Sequence, residues 1–388
     1  MVKTAIRDLV PSTLAAAAPP LALLKMFDVP VAGDASVELA IEGEIEKAEI
    51  ALEAGAGQLV LPGVSADPFR LTAGLFRLSY DGIARQWQLA PSPVKWADGN
   101  IQFSGTAKDI SGAKGPPVWR YSLDGKNGTL EANEFKVPPL ALEQWSVLGT
   151  IIPRRGVVEV GDFRIKGGGG EIAFKAMTQA GPQGQSSRAD VTFTPIPLDT
   201  LKALWPRAVA PGARAWVGER VTSADFKGGT VRFASGEFMH GEAPVLGAIG
   251  ERLSATFEVA DATMIALEGM TPILAPRTLV RLENNALEVA IPEAHAVLQG
   301  NRKVAIKGGR LTSPDVMGPR PDSELVFSVQ SALGPFLDVL ETLPVRPVRE
   351  ASPLPKAADG KVDAQFKIKL PLVSGLDADE VSIEGKAK

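Results

Sequence analysis

Apolar and polar residues alternate with a period of two along much of this chain, and this pattern restricts the fold more than any other feature. Val37, Leu39 and Ile41 are separated from one another by single polar or small residues. Because successive side chains of a β-strand point to opposite faces, such a segment predicts a strand with one apolar and one polar face. The alternation recurs at residues 50–52, 76–80, 257–259, 287–291, 327–329 and 366–370. Parallel strands covered on both faces would give continuous apolar runs, so the pattern favours an antiparallel sheet.

Turn signals separate many of the alternating segments. Asp-Gly and Asn-Gly pairs suit the positive φ angles of tight hairpins. They occur at Asp81-Gly82, Asp98-Gly99, Asp124-Gly125, Asn127-Gly128 and Asp359-Gly360. The chain also has 39 Gly and 31 Pro among 388 residues, an excess that fits many short strands joined by turns. The sequence therefore predicts a mainly β protein, arranged as a meander, a sandwich, a barrel or a groove.

Three segments break the alternation and predict short amphipathic helices packed on the sheet. They are Ser12–Phe27, Leu198–Arg220 with a break between Pro206 and Pro211, and Ser331–Leu343. In the third segment apolar residues recur every three or four positions, which places them on one helix face. The first and third helices each lead through a proline-rich stretch and a glycine into an alternating strand, which we interpret as a weak internal repeat. We accordingly predict segments 1–195, 196–330 and 331–388, the last being the start of a further repeat in a protein that continues past Lys388.

The composition excludes several kinds of chemistry. The chain has no cysteine, so disulfides, thiolate metal sites and thiol nucleophiles are ruled out. The formal net charge of -4 gives no overall basic field of the kind that attracts nucleic acid. Residues 1–10 contain no continuous apolar stretch, and the run Leu14–Leu24 is interrupted by two prolines and is too short to span a bilayer. This start predicts neither a secretion signal nor an anchor, which indicates a cytoplasmic protein or a piece of a longer one.

Few residues suggest catalysis or metal binding. His240 lies between Glu237 and Glu242, which on a helix could share a metal, but the neighbouring glycines favour a strand end or loop and a surface histidine. His295 follows an alternating strand and has no partner motif. The run Gly167–Gly170 lacks the Lys-Ser/Thr pair of a phosphate loop and precedes a strand-like segment, which favours a hairpin or bulge. The sequence therefore predicts a protein that is not an enzyme, with no catalytic residue, no metal and no cofactor.

One part of the chain resembles a known family. Leu198–Phe233 combines a leucine-rich turn, Trp205-Pro206, a Pro-Gly-Ala-Arg-Ala-Trp run that ends at Trp216, and a glycine-rich exit into a strand. These features resemble a recurrent element of the bacterial AsmA-like family, most of all its large YhdP-type proteins. Residues 29–63 have the strand cadence of that family, and residues 331–345 resemble the start of its next repeat. The resemblance is diffuse and extends over most of the chain.

The resemblance implies a long twisted antiparallel sheet that folds into a taco-like groove with an apolar interior. It also implies a periplasmic location and an inner-membrane anchor that this chain lacks. The implied activity is binding or conducting phospholipids between the inner and outer membranes, in the biogenesis of the outer membrane. The expected partner is phospholipid, with no nucleic acid and no second subunit. The residues expected on the lipid-binding face are Val37, Leu39, Ile41, Ile50, Leu52, Phe76, Leu78, Tyr80, Phe257, Val259, Leu287, Val289 and Phe327.

Two other functions remain open from the residues alone. A non-catalytic structural or interaction module of the cell envelope, with a packed β core, would show the same alternating strands. A hydrolase on a β scaffold, such as a carbohydrate-active enzyme, would need paired carboxylates about 5–10 Å apart and aromatic platforms. The aromatic content of 6%, with two Tyr, makes this the weakest of the three hypotheses.

Overall fold

The structure is a computed structural model that describes residues 1–15, 17, 24–59, 69–112, 115–181, 184–205, 210–236, 239–240, 243–244, 252–265, 269–318, 320–343, 359–373 and 376–388. The chain is mainly β, with 66% strand in a long, open antiparallel sheet and three short helices. This confirms the predicted fold class, a long twisted sheet of the groove-forming type with short helices. Two compact units make up the chain. Unit 1 comprises Met1–Thr192 and Phe233–Glu251, and unit 2 comprises Phe193–Arg232 and Arg252–Lys388.

The elements follow one another with short connections. The strands up to residue 193 are β1 (Val2–Leu9), β2 (Phe27–Asp28), β3 (Val31–Leu39), β4 (Ile45–Ala54), β5 (Gly57–Leu59), β6 (Phe69–Asp81), β7 (Gln86–Trp96), β8 (Gly99–Asp109), β9 (Trp119–Leu130), β10 (Leu140–Ile152), β11 (Val157–Gly167), β12 (Gly170–Gly181) and β13 (Gly184–Phe193). The later strands are β14 (Ile196–Pro197), β15 (Val221–Ser235), β16 (Met239–His240), β17 (Ala243–Pro244), β18 (Arg252–Met264), β19 (Ile273–Glu283), β20 (Ala286–Val297), β21 (Lys303–Ser313), β22 (Asp322–Ala332), β23 (Lys361–Pro371) and β24 (Ser382–Ala387). The α-helices are α1 (Leu198–Leu204), α2 (Pro211–Arg220) and α3 (Leu333–Glu341).

Unit 1 is an antiparallel meander in which most strands pair with their neighbours in sequence. β1 pairs with β3, β3 with β4 and β4 with β6, and each strand from β6 to β11 pairs with the next one. Two of the predicted turns join these strands. At the first, the carboxylate of Asp81 accepts hydrogen bonds from the backbone N–H groups of Ile83 and Ala84 at 2.9 and 3.0 Å. At the second, Gly99 opens β8 with a φ of 156°.

Two other predicted turns are wrong. Asp124-Gly125 and Asn127-Gly128 lie inside β9, and the strand continues through both pairs. A Cβ atom on Gly125 would lie 2.2 Å from Nε1 of Trp145 on β10. The glycine is needed because the indole of the neighbouring strand covers its Cα, and the chain does not turn there. Asn127 has a φ of 57° inside the strand, so this pair marks a local irregularity and not a hairpin.

The helix prediction is confirmed for two of the three segments. α1 and α2 lie within Leu198–Arg220, and α3 lies within Ser331–Leu343. The prediction over Ser12–Phe27 is wrong at both described ends, because Pro11–Leu14 is a single 3-10 turn and Phe27 begins β2. Residues 18–23, in the middle of that prediction, lie outside the described part of the chain. Prolines 19 and 20 would remove two backbone donors from the middle of a helix, which the apolar spacing did not reveal.

In unit 2, strands β18 to β24 form a second meander, and its helices pack where the strands carry small residues. Leu198 and Leu201 of α1 and Val217 of α2 belong to one buried cluster, and Phe336 of α3 belongs to another. The strand residues beneath them include Ala262, Ala275, Ala294, Ala296 and Ala364, which we call the alanine patch. All five alanines are at most 5% exposed. Short side chains allow a helix to approach a sheet closely, so the alanine patch specifies where the helices lie.

The inward-facing positions of unit 2 step by three residues, instead of two, along one line across the strands. On β18 the buried positions pass from Val259 to Ala262, and on β19 they pass from Thr278 to Ala275. The strands on this line carry backbone features that break regular pleating: positive φ at Asp261 and Gly308, and Pro276 and Pro292. An extra residue in a strand bends it and re-aims the following side chains. The line separates the alanine patch from the rest of the apolar face.

Candidate functional site

The apolar face of unit 1 carries a continuous row of side chains that crosses nine paired strands. Strand register places these residues directly opposite one another, from each strand to the next. The row, which we call the unit 1 rung, consists of Ala35, Ile50, Leu78, Leu89, Gly105, Leu123, Val147, Phe163 and Phe174. With neighbouring strands about 4.8 Å apart, eight steps follow the sheet for about 38 Å. The hydrocarbon core of a bilayer is about 30 Å thick, so the rung is longer than two acyl chains end to end.

Unit 2 carries a comparable row beside its alanine patch. This unit 2 rung consists of Phe257, Val280, Val289, Leu311, Leu325, Ile368 and Ile383. Every member has a branched or aromatic side chain. The rung lies on the same face as the alanine patch, on the other side of the line where the inward positions step by three.

The structure brings most of the predicted lipid-facing residues together within each unit. Ile50 and Leu78 belong to the unit 1 rung, and Phe257 and Val289 belong to the unit 2 rung. The predicted residues that occupy adjoining positions on the same faces are Val37, Leu52, Phe76 and Tyr80 in unit 1, and Val259, Leu287 and Phe327 in unit 2. Val259 differs from the others because it is 6% exposed and belongs to the cluster under the helices, which makes it a core residue.

Two of the predicted residues lie away from this surface. Ile41 follows the end of β3 and lies fully exposed in the turn before β4, so its predicted place on a strand face is wrong. Leu39 is the last residue of β3, lies beside a register shift in the pairing with β4, and is 49% exposed. The alternation Val37-Leu39-Ile41 continues past the end of the hydrogen-bonded strand, and alternation alone does not mark that end.

The rung side chains are covered only in part. All members of both rungs are half-buried, except Gly105 and Val147, which are buried. Among the described residues, the largest side chains below 2% exposure are Val304, Ser92 and Ser313. In a closed sandwich the large apolar residues of facing sheets interdigitate and lose nearly all contact with water. The rungs are therefore apolar surfaces with room for further contact.

Several members of the rungs were missed from the sequence. They are Ala35, Leu89, Gly105, Leu123, Val147, Phe163 and Phe174 in unit 1, and Val280, Leu311, Leu325, Ile368 and Ile383 in unit 2. Irregular strands obscure the alternation, as on β7, where the inward positions step from Leu89 to Ser92 at a register shift. Gly105 belongs to the rung because Leu123 lies over it, and a Cβ there would be 2.5 Å from that side chain. Only register information across strands could have found this glycine.

The opposite, polar face of unit 1 contains a concavity of about 750 Å³ across β1, β3, β4, β6 and β7. Its charged lining residues are Lys3, Asp34, Glu49 and Arg77, and small residues such as Ala51 form its floor. Asp34 and Glu49 lie on paired strands and occupy diagonal positions, about 7–8 Å apart at the backbone. Its described lining contains no aromatic residue, so it lacks the platforms that a carbohydrate-active enzyme would use.

One buried carboxylate has a structural explanation. Asp109, at the end of β8, is 8% exposed and forms an ion pair with Arg85 in the turn before β7. It also accepts hydrogen bonds from the backbone N–H groups of Ser111 at 2.9 Å and Val118 at 3.3 Å. Burial opposes ionisation of Asp109, but these hydrogen bonds and the Arg85 charge hold its pKa below the usual value. The cluster fixes the β8–β9 connection.

Two further ionisable groups also have local partners. Burial, and secondarily the charge of Glu159, raises the pKa of Tyr121, whose hydroxyl donates a hydrogen bond to the backbone oxygen of Glu159 at 3.0 Å. Burial lowers the pKa of Lys202 on α1, against the opposing effect of Asp199. The Nζ of Lys202 donates to the backbone oxygen of Val221 at 3.1 Å. These contacts join neighbouring elements and involve no nucleophile.

The two histidines do not form a site in the described residues. His240 lies in the short strand β16, and both of its predicted glutamate partners are outside the described part of the chain. His295 lies on β20 opposite Leu274 and Ala305. Where the structure describes side chains, no three His, Asp or Glu residues come close enough to hold a metal ion. Gly167–Gly170 forms the hairpin between β11 and β12, as the sequence predicts.

Comparisons with known proteins give no further assignment. No family model, no curated protein and no solved structure matches this chain. Across the described residues, none of the helices has both the length and the apolar character required to cross a bilayer.

Proposed function

We propose that this chain is a segment of a cell-envelope protein that binds phospholipids through the apolar strand faces and conducts them between the inner and outer membranes. The observation that carries the proposal is the unit 1 rung, a row of apolar side chains across nine paired strands that stays partly uncovered. The resemblance to YhdP-type proteins of the AsmA-like family supports the periplasmic location and the two membranes.

The chemistry of the rung suits acyl chains. Burying a methylene group stabilises a complex by about 0.8 kcal/mol, and an acyl chain laid on the rung would bury many of them. The head group would remain in water, so the protein requires no pocket for it. A sheet face also has no discrete end point, and a ligand can therefore shift along it without losing a unique set of contacts.

The test uses two adjacent positions that point to opposite faces. Leu78 lies on the unit 1 rung, whereas Ser79 is exposed on the polar face. We expect the purified wild-type protein to retain phospholipid, detected by solvent extraction and mass spectrometry. Leu78→Glu should lose most of it, because a carboxylate on the apolar face would be desolvated by the acyl chain. Ser79→Glu adds the same charge and should retain lipid at the wild-type level.

A second measurement guards against misfolding of Leu78→Glu. A photo-crosslinking amino acid at Leu123 should form an adduct with phospholipid, and the same amino acid at the exposed neighbour Asp124 should not. Equal crosslinking at both positions, or lipid-free protein after expression in a bacterial envelope, would contradict lipid binding by this face.

A structural module with a packed core is the second candidate. The helices that seal the alanine patch in unit 2 favour it, because a part of that apolar face is already closed by the chain itself. This candidate predicts that no lipid copurifies and that charges on the rungs act only through stability.

A further inference from the structure

Each unit contains one hydrogen-bonding group that is buried on its apolar face and has no partner among the described residues. In unit 1 it is the indole N–H of Trp145, a residue that is 8% exposed. In unit 2 it is the hydroxyl of Thr278, a residue that is 6% exposed. A buried donor without an acceptor destabilises a protein, so such groups are rare and require an explanation.

Trp145 lies beside the unit 1 rung, on the same face. It occupies the next row of paired residues, which is Phe103, Gly125, Trp145, Ile165 and Ile172. Its ring contacts Phe103 edge-on, with the ring centroids 5.8 Å apart. The missing side chain of Gly125 leaves space for the nitrogen edge of the indole. The surroundings therefore accept the ring as an apolar body but provide nothing to receive its proton.

Thr278 has an equivalent position in unit 2. It lies opposite Val259 on β18, one step along β19 from Val280 of the unit 2 rung. It is also the residue where the inward positions step by three, at the border of the alanine patch. A valine would fill the same volume without an unsatisfied hydroxyl, so packing alone does not account for a threonine there.

We infer that Trp145 and Thr278 are donors for the ester carbonyls of bound acyl lipids, and so select lipids with ester-linked chains. This inference rests on the lipid binding proposed above. A diacyl lipid has hydrogen-bond acceptors embedded between two apolar chains and a polar head, which is where a donor on an apolar face would meet them. A fatty chain without a carbonyl would leave both donors unsatisfied.

The experiment compares two phospholipids with the same head group and chain length, one with ester-linked and one with ether-linked chains. The full chain is incubated with an equimolar mixture in detergent, and the retained ratio is read by native mass spectrometry. We expect wild-type protein to prefer the ester lipid by about two- to tenfold, the worth of one hydrogen bond. Trp145→Phe with Thr278→Val should bind both lipids equally, because each substitution keeps shape and removes only the donor.

The matched control is Trp87→Phe, at a half-buried tryptophan on the same face of unit 1 whose N–H is not among the unpartnered buried groups. It should keep the wild-type preference. Equal binding of both lipids by the wild-type protein, or an unchanged preference in the double variant, would overturn the inference while leaving lipid binding intact. Absence of both lipids from the wild-type protein would instead reject the proposed function itself.

Discussion

The two units treat their apolar faces differently. In unit 1 the face is lined by Leu, Val, Ile and Phe, and no α-helix lies on it where the structure describes the chain. In unit 2 part of the face is the alanine patch, which α1, α2 and α3 cover, and the other part is a rung of larger side chains. The size of the side chains therefore reports what covers a strand face: small residues accompany a helix of the same chain, and large residues accompany open surface.

The largest expected effect comes from removing a helix contact of unit 2. Phe336 on α3 is 8% exposed and packs beside Phe366 with ring centroids 6.1 Å apart. We expect Phe336→Ala to lower the free energy of unfolding by about 3 kcal/mol, measured by urea denaturation, because it leaves a cavity under the helix. The matched change on the open face is Phe163→Ala, in the half-buried unit 1 rung, which should cost about 1 kcal/mol. Equal losses would show that the two faces are packed alike.

A smaller effect tests how the aromatic side chains lie on unit 1. Gly125→Ala would place a methyl group 2.2 Å from Trp145 Nε1 and 2.4 Å from the carbonyl oxygen of Gln102. We expect a loss of about 2 kcal/mol in thermal or urea unfolding, because the indole must move and the strand must shift. Gly112→Ala is the control, since no atom lies within 4 Å of its added Cβ, and it should be neutral. If Gly125→Ala were also neutral, the indole would not lie over β9.

How much of this could be read from the sequence follows from the range of each interaction. Alternation and turn residues act locally, so they predicted most strands and the face to which Ile50 and Leu78 belong. Helix spacing predicted α3, whose apolar stripe is intact. Cross-strand facts were beyond reach: Gly125 looked like a turn because nothing in its own strand shows that Trp145 lies over it. The end of β3 was missed for the same reason, because hydrogen bonding to β4, and not the alternation through Ile41, decides it.

The ion pair in unit 1 should make stability depend on acid. The pKa of Asp109 is lower in the folded protein than the ordinary value of 3.8, so its contribution is present above that pH and is lost as the pH falls through the folded-state pKa. We expect Asp109→Asn to lower the melting temperature at neutral pH and the difference from wild type to shrink below about pH 4. A constant difference down to the lowest pH at which both fold would mean that the charge of Asp109 does not matter.

The smallest effect distinguishes the helix-covered part of unit 2 from open surface. Lys202 on α1 is 7% exposed, and burial lowers its pKa below the ordinary 10.5, so the unfolded chain binds a proton more readily than the folded one. Stability should therefore rise as the pH increases from the folded-state pKa towards 10.5, and Lys202→Met should lack this rise. At neutral pH the variant should differ from wild type by less than about 1 kcal/mol, because losing the hydrogen bond to Val221 is offset by removing a buried charge. Lys126→Met, at an exposed position on β9, should keep the rise. If both variants keep it, the contact between α1 and the start of β15 is open to water, and the helices do not seal this part of the face.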